Sequence, residues 1–315
     1  MNKILVTGGA GNIGSALVER LISIPTNYVV VADNLSTGFL SKLPKAEKDN
    51  WTFVKADVNK FDEISPVMNA HKFDYVFHFA AVVGVMRTQK NPVSVLNDIN
   101  GIRNVLDLSR DTSVKRVFFS SSSEVYGEPV SLPQHEHTTP LNSRVPYAVV
   151  KNVGESYCKS YNLEYDLNYT IFRFFNTYGP NQSTDFVVAR FLAAALKNQD
   201  ITIYGDGSQT RTFTYIDDTI DTCLKCLYDN LHTNDVINIG SDKLCSVLDL
   251  AKLIIKQTNS QSKIIHLSPL DEGDMTRRQP DNSKMLKVLG RPMATLEMGI
   301  HKMIESKYFL SSIGL

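Results

Sequence analysis

Cysteine is scarce, with four in 315 residues, and so few make no disulfide framework. Two of them, Cys223 and Cys226, form a CxxC, but they stand in IDDTIDTCLKCLYD, whose apolar spacing is that of an amphipathic helix. No second pair of metal-type ligands accompanies them, so they read as packing thiols and no metal is expected. Net charge is lacking too: 33 basic and 33 acidic residues cancel, which removes the broad field that nucleic acid or a membrane surface would require. Long apolar runs are absent, none approaching the length of about 18 residues that spans a bilayer. The N-terminus enters β-like sequence directly, without the basic, apolar and small-residue order of a leader. The expectation is a soluble, cytoplasmic protein. No internal repeat or low-complexity tract is visible. What remains is 43% hydrophobic and 21% charged, an ordinary globular composition of a length that suits about two domains, or one large α/β unit with an appended lobe.

The chain is organised around KILVTGGAGNIGSALVERLISIPTNYVVVAD, residues 3–33. An apolar run over 4–6 breaks into Gly8, Gly9, Gly11 and Gly14, after which Ile13, Leu17 and Leu21 recur at helical spacing, predicting strand, tight turn and helix. Such a turn lets a pyrophosphate approach backbone N–H groups at a helix N-terminus, so Gly8, Gly11, Asn12, Ile13 and Gly14 are candidate cofactor contacts. A second strand over 28–32 ends at Asp33, an acid placed to take ribose hydroxyls and to repel a 2′-phosphate, which favours NAD over NADP. The polar loop after it offers Asn34, Ser36, Thr37 and Gly38 to the adenosine ribose. A charged stretch follows to Asn50. Strands are predicted over 51–56, 75–79 and 116–119, with a helix over 92–108. Asp57 and Val58 close the third strand beside the adenine. Ala80, Ala81 and Val82 follow the fourth, small enough for a ring system to lie against backbone. Strands alternating with helices at this rhythm indicate a doubly wound parallel sheet of Rossmann type.

The fifth strand empties into Ser120, Ser121, Ser122, Ser123 and Glu124, at the sheet end where ligands bind. About twenty residues on, Pro146 and Tyr147 open a helix reaching Tyr161, and Lys151, four residues after Tyr147, shares its face. A phenol with an unperturbed pKa near 10 is a poor base at neutrality. An ammonium one turn away, aided by an oxidised nicotinamide, would favour the phenolate. Tyr147 then takes a hydroxyl proton while hydride leaves the same carbon, Ser122 orients the oxygen, and Lys151 also holds the nicotinamide ribose. The sequence after Asn168 alternates strand, loop and helix signals, and the end, 303–315, reads as a helix and a frayed tail.

TGGAGNIG, VVVADNLSTG, the Ala80-Ala81 strand end, SSSSEVYGEP, PYAVVK, RFFNTYGP, YGDGSQTRTFTYIDD and GDMTRRQPD occur here in one order. In that order they resemble the extended short-chain dehydrogenase/reductases acting on nucleotide-diphosphate sugars, a group of epimerases, 4,6-dehydratases and uronate decarboxylases. The resemblance implies NAD as cofactor and a Rossmann domain over 1–170 carrying the Ser, Tyr and Lys. A mainly nucleotide-sugar-binding lobe is implied over 171–315, with some crossover back to the sheet. It also implies Asn176 against the diphosphate and Arg211 and Arg278 as its clamp, a sensible use of guanidinium forks. Val187, in the segment 186–191, and Tyr204 would hold the base, with Gln209 nearby and Ser122, Ser123 and Glu124 against the sugar. The group begins with oxidation at C4. Of the subsequent fates, 4-epimerisation ranks first, elimination of water with Glu124 as base second, and decarboxylation third. Ser123-Glu124, and Arg144 three residues before Tyr147, resemble the decarboxylases and mannose-type dehydratases. Asn12, Asp98 and Val145 depart from the group's usual aromatic, Asn and Ser. A homodimer built from the helices over 92–108 and 147–161 is implied as well. The reading from another class is a dinucleotide-sensing protein without turnover.

Overall fold

The computed structural model describes every residue except 46–47, 85–87, 89 and 269–276. Strand β1 (Asn2–Thr7) leads through the glycine turn into α1 (Asn12–Ile22) and β2 (Asn27–Asp33). Then come β3 (Trp51–Lys55), α2 (Phe61–His71), β4 (Tyr75–His78), α3 (Pro92–Leu96), α4 (Asp98–Asp111), β5 (Arg116–Ser122), α5 (Pro146–Tyr165) and β6 (Asn168–Phe174). The second half adds β7 (Thr177–Tyr178), α6 (Val187–Leu196), β8 (Ile201–Tyr204), β9 (Thr210–Thr212), β10 (Thr214–Tyr215), α7 (Ile216–Tyr228) and β11 (Asp235–Ile239). It closes with β12 (Leu244–Ser246), α8 (Val247–Thr258), β13 (Ile264–Leu267), α9 (Ser283–Leu289), α10 (Leu296–Ile304) and α11 (Lys307–Ser312).

Seven strands form one sheet in the order β11-β6-β5-β4-β1-β2-β3, and every neighbouring pair is parallel. The winding reverses between β1 and β4, so a crevice opens beyond their carboxyl ends, where such sheets bind ligands. Both faces are covered, which explains the nearly unbroken apolar strands. Ile4 and Val6 of β1 and Val29 and Val31 of β2 enter one core layer, while Leu5, Val30 and Ala32 enter the other. Phe77, Phe118 and Phe172 stack across the middle, with centroids 4.4 and 5.9 Å apart.

Strand β6 straddles residues 170 and 171, and β11 returns from the second half to the sheet edge. That half otherwise forms two-stranded sheets, β10 with β7, β12 with β9 and β13 with β8.

Three expectations are corrected. The helix over 92–108 is two helices meeting at Asn97. The fifth strand runs three residues further than its apolar run, because Ser120, Ser121 and Ser122 pair with Phe172, Arg173 and Phe174 of β6. The tail carries the expected helix, α11, but buried Phe309 and Ile313 dock it where a frayed end was expected. Cys223 and Cys226 are buried on α7, and burial pushes the Cys226 thiol up to about 12 and that of Cys223 well above its ordinary range. Both are inert packing groups. No helix among the described residues is long and apolar enough to cross a membrane, and no group of three or more metal-type side chains occurs among them.

Candidate active site

The crevice is a cleft of about 450 Å³ running from the glycine turn to the end of β5. Gly8 takes φ +69°, and a Cβ there would lie 2.6 Å from the Ala80 nitrogen; one on Gly14 would lie 2.2 Å from the Gly8 carbonyl oxygen. The turn therefore packs backbone on backbone. α1 starts at Gly11 without a side-chain cap, which leaves first-turn N–H groups free for an anion. Gly8, Gly11, Asn12, Ile13 and Gly14 all line the cleft, and the Asn12 Oδ1 is buried with no partner. Open donors for a pyrophosphate, and an unfilled acceptor for a ligand hydroxyl or amide, fit a dinucleotide here.

Asp33 is fixed by two backbone donors, the Ala10 N–H to Oδ2 at 2.9 Å and the Leu35 N–H to Oδ1 at 2.8 Å. A carboxylate has about four acceptor sites, so capacity remains on the side lining the cleft. Asn34, Ser36 and Thr37 line it as well. Gly38 does not: it closes the loop onto Asp33, and a Cβ there would lie 2.9 Å from Oδ1. Asp57, Val58, Ala80, Ala81 and Val82 complete the expected cofactor wall. The sequence reading missed Phe39 and Lys42, which lie in the same wall, with the Lys42 ammonium 5.1 Å from the Phe39 ring centre. Burial pushes the Lys42 pKa down against the attraction of Asp33. It also missed the role of Asp98, whose Oδ2 accepts from the Val82 N–H at 2.7 Å and whose Oδ1 accepts from Asn59 at 3.2 Å. The signal was present, since Asp98 departs from the usual Asn. Burial pushes its carboxyl pKa up.

At the other end, β5 brings Ser120 through Ser122 to the cleft, with Ser123 and Glu124 just beyond, and α5 lays Tyr147 and Lys151 against them. Lys151 Nζ donates to Ser120 Oγ at 3.2 Å and stands 5.2 Å from the Phe119 ring centre and 5.8 Å from that of Tyr147. Burial pushes the Lys151 pKa down to about 8, with Asp98 opposing. His78 lies close by, buried and hydrogen-bonded through Nδ1 to Thr7 Oγ1 at 2.9 Å. Burial, then the Lys151 charge, takes its pKa down to about 3, so the imidazole is neutral.

For Tyr147 the sequence pairs Lys151 with an oxidised nicotinamide, and the protein's own groups by themselves act against the phenolate. Its phenol lies well above the ordinary range, first because burial opposes the anion and then because Glu124 repels it. A hydrogen bond with Ser122 and the charge of Arg278 work in the other direction and are outweighed. Lys151 one turn away does not by itself make a base of this tyrosine.

On the substrate side Asn176, Val187 and Arg278 line the cleft, together with Gln182, Ser183, Asp185, Phe186 and Phe213. Asn176 adopts φ +28° and donates through Nδ2 to the Thr212 carbonyl at 3.1 Å. Arg278 Nη1 donates to Glu124 Oε1 at 3.4 Å, so the expected phosphate clamp rests here against the expected base. Three expected contacts stand outside the lining. Gln209 donates to the Tyr204 carbonyl at 3.3 Å, Tyr204 lies 5.9 Å from the Arg190 guanidinium, and Arg211, on β9, donates to the Thr210 carbonyl at 2.8 Å. The β12–β9 and β13–β8 pairings fix that layer. Gly273 through Thr276 of the last motif lie outside the described residues.

The model of the NAD dependent epimerase/dehydratase family matches residues 4–240. A Methanocaldococcus jannaschii protein, named provisionally as a UDP-glucose 4-epimerase, is 38% identical over 309 residues, covering 96% of this chain and 97% of its own. The UDP-N-acetyl-alpha-D-glucosaminuronate decarboxylase of Bacillus cytotoxicus is 32% identical over 317 residues, with 96% and 97% covered. Among solved structures, the UDP-glucose 4-epimerase of Thermotoga maritima with UDP-glucose superposes with a TM-score of 0.91 at 32% identity, covering 99% of both chains.

Proposed function

The chain belongs to the NAD-dependent epimerase/dehydratase family, and from that premise we propose that it inverts C4 of a nucleotide-diphosphate sugar through transient oxidation at that carbon. It is an NAD-dependent nucleotide-sugar enzyme. The observation carrying the finer reading is the convergence of Tyr147, Ser122 and Lys151 at one end of a cleft whose other end is the Gly8–Gly14 turn with Asp33. NAD, when bound, supplies the hydride acceptor and a positive ring. Tyr147 takes the proton of the sugar 4-hydroxyl, Ser122 orients that oxygen, and Lys151 holds the adjoining ribose hydroxyls. Residues 1–170 carry the dinucleotide site and residues 171–315 most of the sugar nucleotide site, with Asn176 and Arg278 toward the diphosphate and Val187 toward the base.

One observation favours a second reading. Glu124, paired with Arg278 beside Tyr147, works against the phenolate, a cost that 4-epimerisation does not repay. In a uronate decarboxylase, the activity named for the Bacillus relative, an acid and a guanidinium at the sugar's C5–C6 side have a use. Incubation with NDP-hexoses and NDP-uronates in deuterated water, read by NMR and mass, separates the two. Unchanged mass with inverted C4 and no deuterium supports the first, and loss of carbon dioxide the second. In either case Tyr147→Phe abolishes turnover while NAD binding persists; a variant that still turns over sinks the assignment of the base.

We also infer a homodimer through α3, α4 and α5. Val93 and Leu96 are 72% and 43% exposed, and Leu163 is 89% exposed, an apolar set that a partner would cover. Sedimentation at micromolar protein as a monomer would refute it.

A further inference from the structure

Behind the catalytic layer lies a polar chain that turnover does not touch. Glu155, one helical turn after Lys151 on α5, is 1% exposed, as is Arg173 on β6. Arg173 donates from Nη2 to Glu155 Oε2 at 2.6 Å and from Nε to Oε1 at 2.8 Å, and Ser121 donates its hydroxyl to the same Oε1 at 2.6 Å. Ser121 and Arg173 are register partners of β5 and β6. One carboxylate thus holds the helix of Tyr147 and Lys151 to the end of the strand carrying Ser122.

The chain continues. Arg173 Nη1 donates to the Tyr126 hydroxyl at 2.8 Å and to the Glu136 carbonyl at 3.0 Å, and Tyr126, two residues after Glu124, donates to Asn238 Oδ1 at 2.7 Å. Asn238 on β11 donates from its backbone to Glu136 Oε1 at 2.9 Å and from Nδ2 to the carbonyls of Gln134 at 2.9 Å and Asp281 at 3.3 Å. Gln134 in turn donates its backbone N–H to the Gln279 carbonyl and accepts from the Asp281 N–H, both at 2.8 Å, one and three residues after Arg278. A buried, fully occupied ion pair adds little net stability over apolar packing, whereas it fixes geometry closely. Helix α5, strands β5, β6 and β11, and the segments at Tyr126, 134–136 and 279–281 are tied here through buried side chains.

We propose that Glu155, Arg173 and Tyr126 are positioning residues. Their network sets the placement of Tyr147 and Ser122 relative to each other and to the segment bearing Arg278. The proposal rests on the assignment of Tyr147 and Ser122 to proton transfer. Its mild test is Tyr126→Phe, which keeps the ring and the Glu155–Arg173 pair but removes the link onward to Asn238. In the NAD-loaded enzyme with its sugar nucleotide, single-turnover reduction of bound cofactor is expected to slow about tenfold, within the penalty of about a hundredfold for a misplacement of about 1 Å. KM and NAD affinity should stay within about threefold, because the ligand contacts remain. An unchanged reduction rate, or a loss confined to melting temperature, overturns the proposal. Glu155→Gln, which keeps the shape but leaves Arg173 without its counter-charge, should slow reduction further and lower the melting temperature. Should it not fold, Tyr126→Phe alone decides. Tyr147→Phe serves as the control: if it retains turnover, the underlying reading fails, whereas a dead Tyr147→Phe beside a fully active Tyr126→Phe rejects the network alone.

Discussion

Replacing Lys151 by Met is expected to stabilise the cofactor-free protein while abolishing turnover. Lys151 is buried against Phe119, Tyr147 and Ser120, and burial lowers its pKa from 10.5 to about 8. At about 1.36 kcal/mol per unit, that shift corresponds to about 3 kcal/mol of destabilisation by the charged form at neutral pH. Met fills similar volume without charge, and losing the Ser120 hydrogen bond gives back about 1 kcal/mol. The net gain near pH 7 is therefore about 2 kcal/mol. The sign follows from proton counting. Below pH 8 both folded and unfolded states bind the proton and the penalty is fully present; between about 8 and 10.5 the unfolded state binds more protons, so wild-type stability rises with pH. Urea unfolding of both proteins, stripped of NAD so that ligand linkage does not intrude, should show the variant's advantage near pH 7 vanishing by about pH 10. A variant no more stable than wild type at neutrality, with a difference flat across that window, would refute the argument that burial governs this lysine.

Gly14→Ala should cost NAD affinity at least about a hundredfold in equilibrium dialysis, since a backbone clash at the turn proposed to bind the pyrophosphate has no rotamer to relieve it. Its Cβ falls 2.2 Å from the Gly8 carbonyl oxygen, and near-native affinity would contradict that reading. Phe118→Ala removes a fully buried ring stacked 4.4 Å from Phe77 and 5.9 Å from Phe172. A loss of about 4 kcal/mol is expected from denaturant midpoints, and a loss below about 1 kcal/mol would show that this core layer repacks freely.

Local chemistry made much of the molecule legible before its structure. The apolar run, the four glycines and Asp33 specify a strand, turn and helix because backbone approach and a ribose acid demand those residue types in that order. Tyr147 and Lys151 share a helical face by spacing alone. What depended on distant contacts was not legible. Lys42 and Phe39 reach the cofactor wall only because the loop after Asp33 folds back over it. Arg278 meets Glu124 from 154 residues away. Tyr204, Gln209 and Arg211 look like cleft residues in sequence, yet small-sheet pairing sets them outside its lining. The serine run extends a strand because β6 supplies partners that no window of sequence contains.

The sign of the Tyr147 shift is the most instructive of these differences. Spacing brings in a cation and argues for a lowered phenol; the structure adds burial and Glu124, and both argue for a raised one. Lys151 is not among the groups acting on the phenol, and burial and Glu124 outweigh Ser122 and Arg278. The cofactor-free cleft therefore holds a protonated phenol. Any ligand that brings positive charge beside Tyr147 favours the phenolate, and by linkage the phenolate favours that ligand by the same factor. An oxidised pyridinium ring is positive and its reduced form neutral, so the phenolate would be favoured by the state of the cofactor that can accept hydride and disfavoured by the state that has done so. On the proposed assignment, Tyr147 would then act as base for alcohol oxidation and as acid for ketone reduction, as a cycle that regenerates NAD within the site would require.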